Sequence, residues 1–164
     1  MTLIAIDPGK GGGVALLHKP EPAPLNTSQH VEALAMPSTL GDFASMLAEE
    51  QRNEPNVTAY VEHVQGFAGK NRPGFHMFAL GESFGAIKGM LAARQIRTVL
   101  VRPQKWQKIY ALGTRSACKS DSEWKNKLKA EAQRRFPHLT VTLKTADALL
   151  LLDYALRQER NQTT

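Results

Sequence analysis

The sequence predicts an α/β domain in which a mixed β-sheet is covered by helices. Three observations lead there. Short apolar runs at residues 3–6, 14–17 and 57–61 read as strands. Strand-like runs come first, and helical spacing alternates with them only later in the chain. The length of 164 residues suits one domain, and a chain of that size buries a core without disulfide or metal staples.

Taken in order, Leu3, Ile4, Ala5 and Ile6 form an unbroken apolar run that ends at Asp7, the pattern of a strand buried on both faces. The following stretch, Pro8-Gly9-Lys10-Gly11-Gly12-Gly13, is a turn by composition, so residues 14–17 complete a hairpin. Three prolines in 20–26 mark a loop, and 31–36 is a third strand. Phe43, Met46 and Leu47 give 42–50 a helical face. The apolar run 57–61 is a strand ending at Glu62, and 66–74 is a glycine-rich basic loop holding Lys70 and Arg72.

A long helix follows over 75–93, with Phe78, Phe84, Ile87 and Leu91 at helical spacing. Gly81, Gly85 and Gly89 recur along it. Each glycine costs about 1 kcal/mol against alanine, so the stripe implies close packing on the sheet, or else close approach of another backbone or of a nucleic-acid strand. Residues 96–101 form a strand, 105–110 a short helix and 113–122 a polar basic loop. Ser122 is the expected cap of a helix over 123–136, and Thr145 of a last helix reaching about Arg157. One domain is expected over 1–158, with a short polar tail at 159–164.

Composition removes several function classes. The single cysteine, Cys118, excludes a disulfide framework and a cysteine-based zinc site. No apolar run has the ~18 residues of a membrane span. The first residues carry no basic stretch ahead of an apolar one, so no secretory signal and a cytoplasmic location are expected. The net charge of +6 is unevenly spread. Residues 1–62 hold 3 basic and 8 acidic side chains, and residues 63–164 hold 18 basic and 7 acidic. A basic second part points to a polyanionic partner, nucleic acid foremost, or to a plain solvated surface.

Asp7 and Glu62 each end an apolar strand, and Asp147 stands in the first turn of the last helix between Ala146 and Ala148. A lone buried carboxylate is costly, so such acids are solvated separately, paired, or converge on a cation. Oxygen-only ligands favour Mg²⁺ or Mn²⁺. Glycines beside Asp7 and alanines beside Asp147 leave room for a bulky substrate.

The ordered set Ile4-Ala5-Ile6-Asp7-Pro8-Gly9, Val61-Glu62-His63-Val64 and Ala146-Asp147-Ala148-Leu149-Leu150 resembles the RuvC-type Holliday junction resolvases, a branch of the RNase H-like nucleases. The resemblance runs from about residue 2 to 157, and the size and diverged motifs are similar to phage or prophage members. It implies a five-stranded mixed sheet whose first three strands are antiparallel, with helices on both faces. It implies Asp7, Glu62 and Asp147 as ligands of two Mg²⁺ ions, replaceable by Mn²⁺. The activity implied is cutting of four-way or related branched DNA by paired nicks that leave 5′-phosphate and 3′-hydroxyl ends.

The family also carries a fourth metal-site residue three or four positions before the last Asp, where this chain has Lys144 and Leu143. Asp153 is the nearest other acid, but six residues on from Asp147 it points away from it around the helix. His63, next to Glu62 on a strand, faces the opposite side. Lys105 and Lys125 match the family's basic residues near the site, and Lys108 and Lys127 add to the DNA-binding charge. Phe67, in the loop with Lys70 and Arg72, matches an aromatic that wedges into the junction, or else folds back onto the core. A homodimer is implied, with Phe75, Phe78, Phe84 and Met90 of the long helix as apolar surface for the interface or for the core. Two other readings stand beside the nuclease: a catalytically weak junction-binding protein of the same fold, and an actin-like phosphotransferase, for which 164 residues are too few for the usual two domains.

Overall fold

The computed structural model describes residues 1–18, 30–64 and 74–162. Five strands, β1 (Thr2–Asp7), β2 (Gly13–His18), β3 (Val31–Ala35), β4 (Val57–Glu62) and β5 (Arg97–Val101), form one sheet in the order β3-β2-β1-β4-β5. The β1/β2 and β2/β3 pairs are antiparallel, whereas β1/β4 and β4/β5 are parallel. The expected mixed sheet is therefore present, with its first three strands antiparallel.

Side chains alternate across a strand, and β1 shows what that does here. Leu3 and Ala5 enter one core while Ile4 and Ile6 enter another, all four without solvent exposure. Two apolar layers are thus built from one four-residue run, each full burial of a large aliphatic side chain stabilising by about 1.5–3 kcal/mol. Helices α1 (Leu40–Asn53) and α2 (Gly74–Ala93) cover the face of Ile4 and Ile6 through Phe43, Leu47, Phe84, Ile87 and Leu91. The opposite face carries α3 (Pro103–Gln107), α4 (Asp121–Arg135) and α5 (Ala146–Gln162), with α5 lying across β1 and β2.

Several boundaries differ from the sequence expectation for local reasons. The α1 helix starts earlier because Thr39 is its cap, accepting from the Asp42 N–H at 3.1 Å. The cap of α4 is Ser120, not Ser122: its hydroxyl accepts from the Glu123 N–H at 3.2 Å, and the Glu123 carboxylate accepts from the Lys119 N–H at 2.8 Å. This reciprocal pairing resembles a capping box, which satisfies amides a helix start leaves free. Thr145 does not cap α5 with its side chain. Its hydroxyl turns back to accept from the Thr142 N–H at 3.0 Å, and its carbonyl accepts the first helical bond, from Leu149, at 3.0 Å.

The last helix continues past Arg157 to Gln162. Glu159 on that extension accepts from the Tyr60 hydroxyl at 2.6 Å and pairs with Arg97 at 2.9 Å, which ties the helix end to the sheet. Among the described residues no helix is long and apolar enough to cross a membrane. The proline-rich loop 20–26 and the basic loop residues Phe67, Lys70 and Arg72 lie outside the described residues.

Candidate active site

Strand alternation and register bring Asp7 and Glu62 together. Asp7 has the parity of Leu3 and Ala5, and Glu62 that of Tyr60, so both acids project toward the α5 face. The parallel register pairs Ile6 with Val61, so the next positions, Asp7 and Glu62, end neighbouring strands side by side. Asp147 reaches the same place from the first turn of α5. Each acid keeps some solvent contact while its chain neighbours Ile6, Val61, Ala146 and Ala148 are buried.

The electrostatics show one shared neighbourhood. Burial raises the Asp7 carboxyl well above the usual carboxylate range, and the charges of Glu62 and Asp147 raise it further, against a lowering by Lys125. Glu62 is pushed up to about 7 by burial and then by Asp147, opposed by a hydrogen bond from Trp106. Asp147 is raised to about 6 by burial, opposed by Lys125 and Arg115. Among the described residues no three His, Cys, Asp or Glu side chains are drawn together tightly enough to enclose an ion as they stand. The donor set itself, three mutually repelling carboxylates with oxygen ligands only, is of the kind that suits Mg²⁺ or Mn²⁺.

Burial, with the repulsion added to it, has a measurable consequence for the metal-free protein. Acids that hold their protons more tightly when folded contribute stability that is present below their unfolded pKa and lost as the pH rises through the folded value. For Glu62 the window runs from its ordinary 4.5 to about 7. A Glu62→Gln protein is therefore expected to melt several degrees higher than the parent at pH 8 in a chelator, with the advantage gone at pH 4. Thermal unfolding at the two pH values checks it, and equal melting at pH 8 contradicts it.

The glycines beside Asp7 serve the backbone more than they leave room for a ligand. A Cβ on Gly12 would lie 2.1 Å from the Asp7 carbonyl oxygen. One on Gly13 would lie 2.5 Å from the Lys144 carbonyl oxygen and 2.7 Å from that of Leu34. Gly13 thus lets the turn before α5 sit directly on the start of β2, which sets where Asp147 emerges. Gly11 faces open space. The α2 stripe also differs from close packing on the sheet: a Cβ at Gly81, Gly85 or Gly89 would meet nothing within 4 Å. Phe84 belongs to the core and Met90 packs against it, whereas Phe75 and Phe78 stand 67% and 73% exposed on the same helix.

The basic residues separate into two groups. Lys125, exposed on α4, is the lysine whose charge acts on both Asp7 and Asp147. Lys105 and Lys108 are exposed around α3, and neither forms an ion pair with a described residue. Lys127 instead pairs with Glu123 at 3.2 Å and lies 3.4 Å from Cys118 Sγ. Asp153 is engaged away from the acids, accepting from Tyr110, Arg135 and Arg157. His63 packs its ring 5.8 Å from Phe84. Lys144 and Leu143 are exposed on the turn before α5.

Two residues at the site were not singled out by the sequence. Arg115 lies in a 3₁₀ turn (Arg115–Ala117), where Asp121 holds its guanidinium by two bonds, one of them Nε to Oδ1 at 2.8 Å, while its charge acts on Asp147. It is one of several cations in a polar loop, and nothing in its sequence neighbourhood marks it. Trp106 is fully buried, and its indole N–H donates to Glu62 Oε2 at 2.9 Å. The available signal was chemical: a buried tryptophan usually finds an acceptor for its N–H.

No protein-family model matches the chain, and no curated protein matches it by sequence. Solved structures do. RuvC of Thermus thermophilus in complex with a Holliday junction substrate superposes with a TM-score of 0.60 at 14% identity, covering 98% of this chain and 96% of that one. A second Thermus thermophilus RuvC structure gives 0.56 at 17% identity, covering 98% and 97%. At these identities the likeness speaks for architecture: the chain has the five-stranded, RNase H-like fold of RuvC along nearly its whole length.

Proposed function

We propose that this protein is a divalent-metal-dependent, structure-selective endodeoxyribonuclease acting on four-way or related branched DNA. The observation that carries the reading is the meeting of Asp7, Glu62 and Asp147 in one electrostatic neighbourhood within a RuvC fold. One of the similar RuvC structures is a complex with a Holliday junction substrate. Asp7, Glu62 and Asp147 would hold Mg²⁺ or Mn²⁺. When bound, such cations activate water and neutralise charge on the scissile phosphate and its leaving oxygen. Around them, Lys125 and Arg115 place fixed positive charge beside the acids, where a phosphodiester would otherwise be repelled. Lys105 and Lys108 offer exposed cations for flanking phosphates, a contact type that positions DNA without reading its sequence. Phe67, Lys70 and Arg72 belong to the reading as residues that engage the junction from the loop after Glu62. Paired nicks require two sites, so we read the active species as a homodimer, with exposed Phe75 and Phe78 as apolar surface for the partner copy.

A second reading is motivated by exposed Lys144 and Leu143 and by the open spacing of the acids: a protein of the same fold that binds junctions and cuts them poorly. Incubation of the protein and an Asp7→Asn variant with a synthetic four-way junction and Mg²⁺ separates the two. Paired nicks that vanish in the variant are the expected result. Tight binding without nicks in the parent supports the second reading, and neither binding nor nicks overturns both.

A further inference from the structure

Trp106 joins two of the three acids' supporting elements. Its indole N–H donates to Glu62 Oε2 at 2.9 Å from a side chain with no solvent exposure. Its ring meets Tyr110 edge-on at 6.3 Å. The Tyr110 hydroxyl is shared between the Leu150 carbonyl and Asp153 Oδ2, both on α5, and Leu150 lies one turn beyond Asp147. A continuous set of contacts therefore runs from the end of β4 through the α3 segment to the helix that bears Asp147. The indole is a donor only, so it engages one carboxylate oxygen of Glu62. Burial locks its ring, unlike the long flexible lysines on either side, Lys105 and Lys108. The other oxygen, Oε1, has no hydrogen-bond partner among the described residues.

We propose that Trp106 is a positioning residue whose indole N–H fixes the Glu62 carboxylate beside Asp7, leaving its second oxygen free to ligate a divalent cation. The inference rests on the reading of Asp7, Glu62 and Asp147 as cation ligands. Outer hydrogen bonds of this kind orient ligating carboxylates, and their loss typically weakens metal binding about 10–100-fold. The proposal assigns Trp106 no contact with substrate.

The contact itself is tested without metal. In the metal-free protein at pH 8, the indole ¹H–¹⁵N resonance of Trp106 is expected to move upfield on Glu62→Gln, while that of Trp124, the other tryptophan, stays in place. Metal binding is then measured by calorimetry with Mn²⁺ alone on the parent, on Trp106→Phe, and on protein carrying 3-benzothienylalanine at position 106, which keeps the indole shape and lacks the N–H. Both altered proteins are expected to bind Mn²⁺ at least about tenfold more weakly. Their junction cleavage is expected to recover toward the parental rate as Mn²⁺ is raised, a shift in metal requirement more than in turnover. Leu17→Ala, a core truncation on β2, controls for lost stability: it is expected to melt lower with Mn²⁺ binding unchanged.

An indole resonance that ignores Glu62, or parental Mn²⁺ affinity in the 3-benzothienylalanine protein, overturns the proposal. If the resonance follows Glu62 but the parent neither binds Mn²⁺ nor cuts, the nuclease reading falls and the orienting contact survives it.

Discussion

An Asp147→Asn protein is expected to cut a synthetic four-way junction at least about a thousandfold more slowly than the parent, a loss of about 4 kcal/mol in transition-state stabilisation, while binding the same junction normally in a chelator. Asparagine keeps the shape of the side chain and one oxygen but removes the charge. In the metal-free protein that charge is a burden, since burial holds the carboxyl up at about 6 and its field raises both Asp7 and Glu62. Lys125 and Arg115 offset part of that cost; a bound divalent cation would offset more of it, and a phosphate backbone would add to it. On the proposed reading, junction binding would rest on exposed cations such as Lys105 and Lys108, which form no ion pair with a described residue, and removing a negative charge beside Lys125 would not weaken that attraction. Single-turnover cleavage and gel-shift titration on the same preparation check the two halves. Cutting at the parental rate removes Asp147 from the chemistry.

The second large effect is on stability. Gly13→Ala is expected to destabilise the fold by about 3 kcal/mol, at the upper end for an inserted methyl in a tight site, and to lower the melting temperature by roughly 6–12 °C for a chain of this size. The Cβ would sit 2.5 Å from the Lys144 carbonyl oxygen and 2.7 Å from the Leu34 carbonyl oxygen. Both are backbone atoms, so neither moves without moving its element: Leu34 is paired into β3, and Lys144 belongs to the turn knotted by Thr142 and Thr145. The nearby Gly11→Ala, whose Cβ meets open space, is expected to melt within a degree or two of the parent. Thermal melts of the two variants side by side test the argument. Equal melting would mean that the turn before α5 yields freely.

The strands of the sheet were legible because their signal is local. An apolar run of four, ended by an acid and followed by Pro-Gly, leaves few arrangements other than a buried strand entering a turn, and β1 lies where that pattern places it, as β2 and β4 lie where their own apolar runs place them. The helix ends were less legible. Ser120 and Ser122 both offer a hydroxyl two residues apart, and only the hydrogen bond to Glu123 selects between them. Gly81, Gly85 and Gly89 show the limit of composition, since a glycine that lets two backbones touch and one that faces solvent read alike. Trp106 and Arg115 were illegible as site residues because each acts on an acid far away in the chain, Glu62 and Asp147 respectively.

By itself, then, the sequence determined the period of each strand, the placing of Asp7 and Glu62 at strand ends, and the division into an acidic first part and a basic second part, whereas the face those two acids share was set by the pairing of β1 with β4. These follow from nearest-neighbour geometry, which every strand obeys wherever it lies. Only the tertiary structure decided which cations stand beside the acids, which glycines are needed by the backbone, and which aromatic holds Glu62. Those depend on how α3, α4 and α5 pack across the sheet, and packing is set by contacts between residues that the chain order keeps far apart.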